Sequence, residues 1–93
     1  MDPKFETSPR RNKYELWVEI LDLCTDKEIH LSQIMRDLRL RTGKCKEYLL
    51  FLLQKDLLSI KRDQSDQRIV YLTTSKGKKA VQQFMQVLSK YFH

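Results

Sequence analysis

The chain has 93 residues, of which 18 are lysine or arginine and 12 are aspartate or glutamate, giving a formal net charge of +6. This length suffices for one domain, and a domain this small gains stability by burying further surface against a partner. The positive charge favours nucleic acid or an anionic surface as that partner. No stretch approaches the roughly 20 apolar residues of a membrane span, and residues 1–15 lack the apolar segment of a signal peptide, so we expect a cytoplasmic protein.

The first part of the chain changes from an irregular segment to a helical pattern. Residues 1–11 contain both prolines and no periodicity, which predicts a flexible arm ahead of a single domain at residues 12–93. From Asn12, apolar residues recur every three or four positions, which predicts an amphipathic helix. They form two stripes, Tyr14, Trp17, Leu21 and Cys24 on one and Leu16, Ile20 and Leu23 on the other. Two adjacent stripes make a face too wide for one small core.

A short helix is predicted after a brief extended segment. The extended segment is IHL at residues 29–31, and apolar residues then repeat helically in SQIMRDL at residues 32–38. His30 or Ser32 is positioned to cap this helix at its start. The pattern therefore indicates a helix of about two turns.

A tight turn and a longer helix are expected next. The turn is RLRT at residues 39–42, and either Thr42 or Gly43 is positioned to cap a helix over about residues 43–55. The inward stripe of this longer helix consists of Cys45, Tyr48, Leu49 and Leu52. Helix, turn and longer helix follow one another in the sequence.

A β-hairpin and a final helix complete the pattern. LLSIK at residues 57–61 and RIVYL at residues 68–72 are rich in β-branched and aromatic residues, which predicts two paired strands. The loop between them, RDQSDQR, has no glycine and a charge at each end, unlike a tight two-residue turn. We expect it to form a protruding tip. After a capping threonine or serine, a helix with a broad apolar arc is predicted at about residues 75–92.

The order α-β-α-α-β-β-α is that of a winged helix-turn-helix, a mostly α fold with a small β-hairpin (α+β). In such a domain the second helix of the helix-turn-helix enters the major groove of DNA. The predicted recognition helix is thus the one at about residues 43–55. The hairpin loop at about residues 63–68 is the predicted wing, at the minor groove or the DNA backbone.

Two segments resemble known families. LRLRTGKCKEYLLFLLQKDLLSIKR resembles the recognition-helix segment of winged-helix regulators, where a leucine precedes the turn and a YL..L pattern leads to a GL at the helix end. The matching residues are Leu40, Cys45, Tyr48, Leu49, Leu52 and, in place of the GL, Asp56 with Leu57. Asp56 stands where the family has a left-handed glycine, a conformation that aspartate tolerates better than most residues.

RDQSDQRIVYLTTSKGKKA is similar to the wing and following helix of MarR-like regulators. Asp66 and Arg68 fill the D-x-R tip, and Leu72, Thr73 and Gly77 match the LT..G motif with one extra residue before the glycine. The combined pattern also resembles archaeal winged-helix proteins, including those of archaeal viruses, that dimerise through a long C-terminal helix. Together these resemblances cover residues 29–85 and imply an intracellular DNA-binding regulator.

Basic residues cluster where such a protein would meet DNA. Lys44 and Lys46, preceded by Arg41, lie at the start of the predicted recognition helix, where arginine or lysine commonly contacts guanine; a solvated basic helix start is the alternative. The MarR-like resemblance implies that Arg68 reaches the minor groove and that Asp66 orients it, with an exposed ion pair as the alternative. The other predicted DNA contacts are Arg36, Arg39, Glu47, Lys61, Arg62, Gln64 and Gln67.

Apolar residues on the first and last helices predict a dimer interface. The aromatic residues there are not interleaved with basic residues, which argues against base stacking. Homodimers of the resembling family pair through these two helices, and a two-fold dimer presents two recognition helices about one DNA turn apart. The predicted interface consists of Tyr14, Trp17, Leu21, Phe84, Leu88, Tyr91 and Phe92.

Cysteine and histidine usage limits metal and redox chemistry. Cys24 and Cys45 are too far apart for a CxxC motif and have only His30 and His93 for company, so we predict no metal site. Two interpretations of the thiols stay open: ordinary buried residues, or a disulfide within the chain or across a dimer. The chain has no glycine-rich phosphate loop, and no Ser-His-Asp arrangement stands out, so we expect neither an enzyme nor a cofactor.

The sequence thus predicts a homodimeric transcriptional regulator that binds specific double-stranded DNA. The first alternative is a winged helix used for protein-protein assembly, in which the wide apolar faces bind another protein and the charge is incidental. The second is a regulator that responds to a ligand bound between the dimer helices. Salt dependence separates DNA binding from apolar assembly, because each phosphate contact steepens the fall of affinity with salt.

Overall fold

The computed structural model describes residues 12–92, except for the side chain of Phe92. The predicted arm, with Arg10 and Arg11, and His93 lie outside the described residues. The elements in chain order are α1 (Lys13–Leu23), β1 (Ile29–His30), α2 (Leu31–Leu38), α3 (Thr42–Gln54), β2 (Leu58–Arg62), β3 (Ile69–Thr73) and α4 (Ser75–Phe92). The predicted winged helix-turn-helix order is confirmed.

The first helix is capped by the mechanism that its sequence favours. The Asn12 side chain accepts a hydrogen bond from the Glu15 backbone N–H at 2.9 Å, and the Glu15 carboxylate accepts one from the Asn12 N–H at 3.1 Å. This reciprocal pair is a capping box, which satisfies two N–H groups that the helix leaves unpaired. It explains why α1 begins directly after the predicted arm.

The predicted caps of α2 and α3 are in part wrong. His30 is the N-cap of α2, as one alternative had it, but its side chain makes no capping bond, and Ser32 lies inside the helix. Arg41 is the N-cap of α3 and also lacks a side-chain capping bond. The Thr42 hydroxyl donates instead to Met35 Sδ at 3.7 Å, which ties α3 to α2 across the turn.

Both helices of the helix-turn-helix end at a residue in the left-handed conformation. Asp56 has φ 63°, and the Leu57 N–H donates to Leu52 O at 3.0 Å in a Schellman arrangement. The expectation that Asp56 takes the place of the family's glycine is therefore confirmed. At the end of α2, Arg39 has φ 56° and the Leu40 N–H donates to Met35 O at 2.9 Å. These two caps set the directions in which α3 and β2 leave.

A three-stranded antiparallel sheet forms the base of the hairpin. The strand order is β1-β3-β2, with Ile29 opposite Tyr71 and Leu58 opposite Thr73. The short extended segment that the sequence predicts thus forms β1, the edge strand that pairs with β3. It joins the start of α2 to the hairpin.

The core lies between α1, α2, α3, the sheet and the first turns of α4. Thr73 is buried there, and its hydroxyl donates to Leu21 O at 2.6 Å, so β3 is tied to the end of α1. Gly77 brings α4 close to the chain after α3, since a Cβ at this position would overlap the Leu57 carbonyl oxygen. The buried apolar residues are Leu16, Ile20, Leu21, Cys24, Ile29, Ile34, Leu38, Cys45, Leu49, Leu52, Leu58, Val70 and Val81.

Both cysteines are free thiols in this core. Cys24 and Cys45 have no exposed surface, and neither forms a disulfide. Burial raises the pKa of the Cys24 thiol to about 12 and also raises that of Cys45, because the charged thiolate is poorly solvated there. The disulfide alternative has no support, and full burial within one chain leaves neither sulfur accessible to a second copy. The thiols pack as small apolar groups.

Candidate nucleic-acid interface

The helix-turn-helix presents one full side of α3 to solvent. Cys45, Leu49 and Leu52 anchor the helix in the core, and they lie three or four positions apart, on one side of it. The residues on the other side are exposed, so the second helix of the motif is fixed by its buried stripe and free on its outer face. The exposed residues are Thr42, Gly43, Lys44, Lys46, Glu47, Leu50 and Gln54.

The start of α3 has the properties of an anion-binding site. Within residues 12–92, no side chain caps its first N–H groups, and its first turn contains no acidic residue. Arg41, Lys44 and Lys46 are all exposed around it, where positive charges oppose the helix dipole. Lys44 is paired with Glu47 at 3.6 Å. An anion at this end would satisfy the free N–H groups and offset the clustered positive charge.

The wing is an ordered loop despite its lack of glycine. The Asp63 N–H donates to Arg68 O at 2.7 Å, and the Gln67 N–H donates to Asp63 O at 2.7 Å, which closes the loop at its base. The Asp63 carboxylate also accepts from the Ser65 N–H at 2.9 Å, as in an Asx-turn. Gln67 takes the left-handed conformation with φ 65°. Side-chain bonds therefore do here what glycine does in shorter turns.

Asp66 holds Arg68 at the end of the wing, directly before β3. The Arg68 guanidinium donates to Asp66 Oδ2 from Nε at 2.9 Å and from Nη2 at 2.7 Å, and the Arg68 backbone N–H donates to Oδ1 at 3.0 Å. These bonds lower the pKa of the Asp66 carboxyl and raise the pKa of Arg68. Arg68 is 63% exposed. The predicted orienting contact is present, and the guanidinium it orients faces solvent.

Internal partners divide the predicted basic contacts into two sets. Lys61 forms an ion pair with Glu28, and Arg62 donates to Gln67 O at 2.7 Å. Arg36 lies 3.9 Å from the adjacent Asp37 carboxylate. Among these predicted contacts, the basic side chains without a hydrogen bond or an ion pair within residues 12–92 are those of Arg39, Arg41 and Lys46. Within the described residues, nothing offsets the charge of these three side chains.

A groove of about 460 Å³ joins the wing to α3. Lys46 from α3 and Arg68 from the wing both line it, together with His30 and Ile69. Residues from three separate parts of the sequence are thereby brought to one exposed surface. The two predicted DNA-contacting elements therefore face the same space.

His30 meets the acidic residues of the wing, a contact that sequence reasoning missed because it treated His30 as a cap. Its Nε2 lies 3.4 Å from Asp63 Oδ2 and 3.6 Å from Asp66 Oδ2. Within residues 12–92 these three side chains form the one group able to supply three metal ligands. The Arg68 guanidinium already pairs with Asp66, so we describe the group as a polar cluster beneath the wing. The expectation of no metal stays a prediction.

The predicted dimer face is exposed in part. Tyr14 and Leu88 are exposed and Tyr91 is 66% exposed, whereas Trp17 is half-buried and stacks on Phe51 with ring centroids 4.1 Å apart. Leu21 is only 2% exposed because it packs in the core beside β3. Its predicted role as an interface residue is therefore wrong, and the same position serves the core. Phe84 is half-buried, and the side chain of Phe92 is outside the described part.

Comparison with known proteins places the chain in a class. A family model described as winged helix-turn-helix matches residues 10–91, so the chain belongs to the winged helix-turn-helix family. A comparison with curated proteins found no match. None of the helices within residues 12–92 is both long and apolar enough to span a bilayer.

Solved structures share this fold at low sequence identity. A mutant of Staphylococcus aureus MepR bound to an oligodeoxyribonucleotide is similar at TM-score 0.75 and 21% identity, over 96% of this chain and 65% of that one. The adhesin competence repressor AdcR of Streptococcus pyogenes matches at TM-score 0.73 and 12% identity, over 95% and 66%. A mutant of Lactococcus lactis ZitR matches at TM-score 0.70 and 18% identity, over 82% and 56%.

These solved structures can be compared with the MarR-like and the archaeal resemblances of the sequence. They are MarR-family regulators, which agrees with the D-x-R tip and the LT..G motif at the level of fold. The chain spans two thirds or less of their lengths, between 56% and 66%. The archaeal or archaeal-viral source suggested by the sequence has no support in the comparisons.

Proposed function

We propose that this protein binds specific double-stranded DNA as a homodimeric transcriptional regulator in the cytoplasm, with α3 in the major groove and the wing at the minor groove or backbone. The observation that carries this proposal is the groove lined by both Lys46 of α3 and Arg68 of the wing. The helix and the wing can contact the same DNA duplex only if both face the same side of the domain. The role needs binding and no catalytic chemistry or cofactor.

Phosphate contacts are expected around the start of α3. Arg39 and Arg41 flank the turn before this helix, and their side chains have no partner within residues 12–92. The uncapped N–H groups of α3 add a second attraction for anions. Such contacts fix the orientation of a protein on DNA, while side chains further along the helix read the bases. A MepR mutant that shares the fold has been solved bound to an oligodeoxyribonucleotide, which supports DNA binding in general by this chain.

The dimer is proposed from the apolar surface of α1 and α4. These helices pack together, and α4 exposes Met85, Val87, Leu88 and Tyr91, with Tyr14 exposed on α1. Burying such a surface against a second copy would stabilise a chain of this size. A two-fold pair would present two α3 helices to successive major grooves, and the preferred site would be a pseudo-palindrome.

The first test is binding of a labelled duplex of about 30 base pairs, long enough for two half-sites, measured by fluorescence anisotropy at several salt concentrations. We expect the wild-type protein to bind with an affinity that falls steeply with salt, because phosphate contacts release counterions. Arg68→Ala should weaken binding and reduce the salt slope. Lys79→Ala removes the same charge from the exposed side of α4 and should change both quantities less. Absence of binding by the wild type at low salt would refute the DNA-binding proposal.

One alternative function has a specific observation in its favour. The exposed apolar residues of α4 also suit a winged helix that assembles with a different protein. Such an interface responds far less to salt than phosphate contacts do. A protein that fails to bind DNA but forms a salt-insensitive complex through α4 would support the assembly function instead.

A further inference from the structure

We propose that Leu50 reads the 5-methyl group of a thymine in the major groove. This inference rests on the proposed DNA-binding function and names the base that the outer face of α3 recognises. The major groove exposes one methyl group among the four bases, that of thymine, and apolar side chains discriminate it by contact. Leu50 is the large apolar side chain that α3 directs outward, and it is 55% exposed.

The position of Leu50 on the helix sets it among the predicted DNA contacts. It follows Lys46 by four residues, Glu47 by three and Gly43 by seven, so all four lie on one stripe. This stripe is opposite the buried residues Cys45, Leu49 and Leu52 that hold the helix. The sequence analysis assigned Leu50 no role, although its spacing from Lys46 and Glu47 places it on the same face of the predicted helix.

Charge complementarity identifies duplex DNA as the occupant of this face. Lys46 is exposed beside Leu50 and has no partner within residues 12–92, and Arg41 adds a second exposed cation at the start of the helix. The groove next to Lys46 leads to the exposed Arg68. An apolar protein partner would leave these cations without counter-charges. The major groove offers phosphates at its edges and a thymine methyl group on its floor.

A second observation on the same stripe supports close approach. Gly43 lies in the first turn of α3 and is exposed, and a Cβ added there would meet nothing within 4 Å. Its φ is negative, so neither backbone conformation nor packing within the chain requires glycine. Alanine would favour the helix more. The absence of a side chain leaves room for DNA to approach the start of α3, which brings Leu50 toward the floor of the groove.

The test pairs removal of the thymine methyl group on the DNA side with removal of the Leu50 isopropyl group on the protein side. A preferred site is first selected from a randomised duplex library with the wild-type protein. Each thymine of that site is then replaced singly by deoxyuridine, which lacks the 5-methyl group and keeps the base pairing. Among these single substitutions, we expect one thymine position in each half-site to show an effect. Its replacement should weaken wild-type binding about 4-fold, the factor that corresponds to burial of one methyl group.

Variants of Leu50 complete the cycle. Leu50→Ala should bind the thymine and deoxyuridine duplexes equally, whereas Leu50→Met, which keeps an apolar chain of similar length, should still prefer thymine. Both variants should unfold at the wild-type temperature because Leu50 is exposed. Gly43→Ala should keep the fold and weaken DNA binding.

The outcomes separate this inference from the proposed function. If no duplex is selected, the DNA-binding function fails and the inference falls with it. If a site is selected but no thymine shows the methyl effect, or the effect persists in Leu50→Ala, DNA binding stands and the role of Leu50 is refuted.

Discussion

At the scale of single residues, the wing depends on a few side-chain bonds within a glycine-free loop. Asp63 accepts from the Ser65 backbone and hydroxyl, while Asp66 accepts from both the backbone and the guanidinium of Arg68. Hydrogen bonds to a carboxylate favour its charged form, so the pKa of each aspartate is lowered. The wing conformation and the charge state of its acids are therefore linked.

The link predicts how the wing responds to acid. Because the pKa of Asp66 is lower in the folded wing than in an unfolded chain, its contribution to stability is present above the unfolded pKa and is lost as the pH falls through the folded pKa. A carboxyl ¹³C titration should place the Asp66 pKa below the ordinary aspartate range. In Arg68→Ala the pKa should return toward that range. An unshifted Asp66 in the wild type would contradict the ion pair.

At the scale of elements, the two glycines in the chain differ in their packing: Gly77 has no room for a side chain, whereas Gly43 does. Gly77 allows α4 to start against the chain that follows α3, because a Cβ there would overlap Leu57 O and lie 2.6 Å from Thr73 Cγ2. Leu57 O also accepts a hydrogen bond from the Thr74 N–H at 3.1 Å, so it has little freedom to move. Gly43 has open space around it.

This contrast predicts different effects of the same substitution. Gly77→Ala should lower the free energy of unfolding by about 2 kcal/mol, as expected when an extra methyl group is forced into a packed site. Gly43→Ala should leave it unchanged or raise it by less than about 1 kcal/mol, because alanine favours a helix. Urea unfolding followed by circular dichroism measures both. Equal stabilities of the two variants would contradict the close contact at Gly77.

At the scale of the whole molecule, the apolar surface of α4 requires an explanation beyond the single chain. Val81 is buried near the start of this helix, whereas Leu88 and Tyr91 are exposed toward its end. The helix therefore begins as part of the core and continues beyond it. A second copy packed against its distal half would complete the domain.

A charge on this surface tests the dimer. Leu88→Glu should shift the protein from dimer to monomer in analytical ultracentrifugation, because association would bury an unpaired carboxylate. Gln82→Glu adds the same charge at an exposed position nearer the start of α4 and should leave the assembly state closer to that of the wild type. A monomeric wild-type protein at micromolar concentration would show that the predicted dimer is wrong.

Some features followed from local patterns and some did not. Helical spacing predicted α1 and α3 because each has a regular buried stripe, and the resemblance to winged-helix regulators implied a left-handed helix end at Asp56. The same spacing misassigned Leu21, since two adjacent stripes do not reveal which one faces the core and which a partner. Capping by Thr42 was also wrong, because its hydroxyl reaches Met35 on the preceding helix.

The sequence by itself determined the order of elements and the basic start of α3. Periodicity, turn residues and charge are local properties, so they can be recognised from the order of the residues alone. Only the tertiary structure decided that His30 meets the wing acids, that Lys61 is neutralised by Glu28, and that Lys46 and Arg68 share one groove. These contacts join residues far apart in the sequence, and their distances depend on how the helices and the sheet pack together.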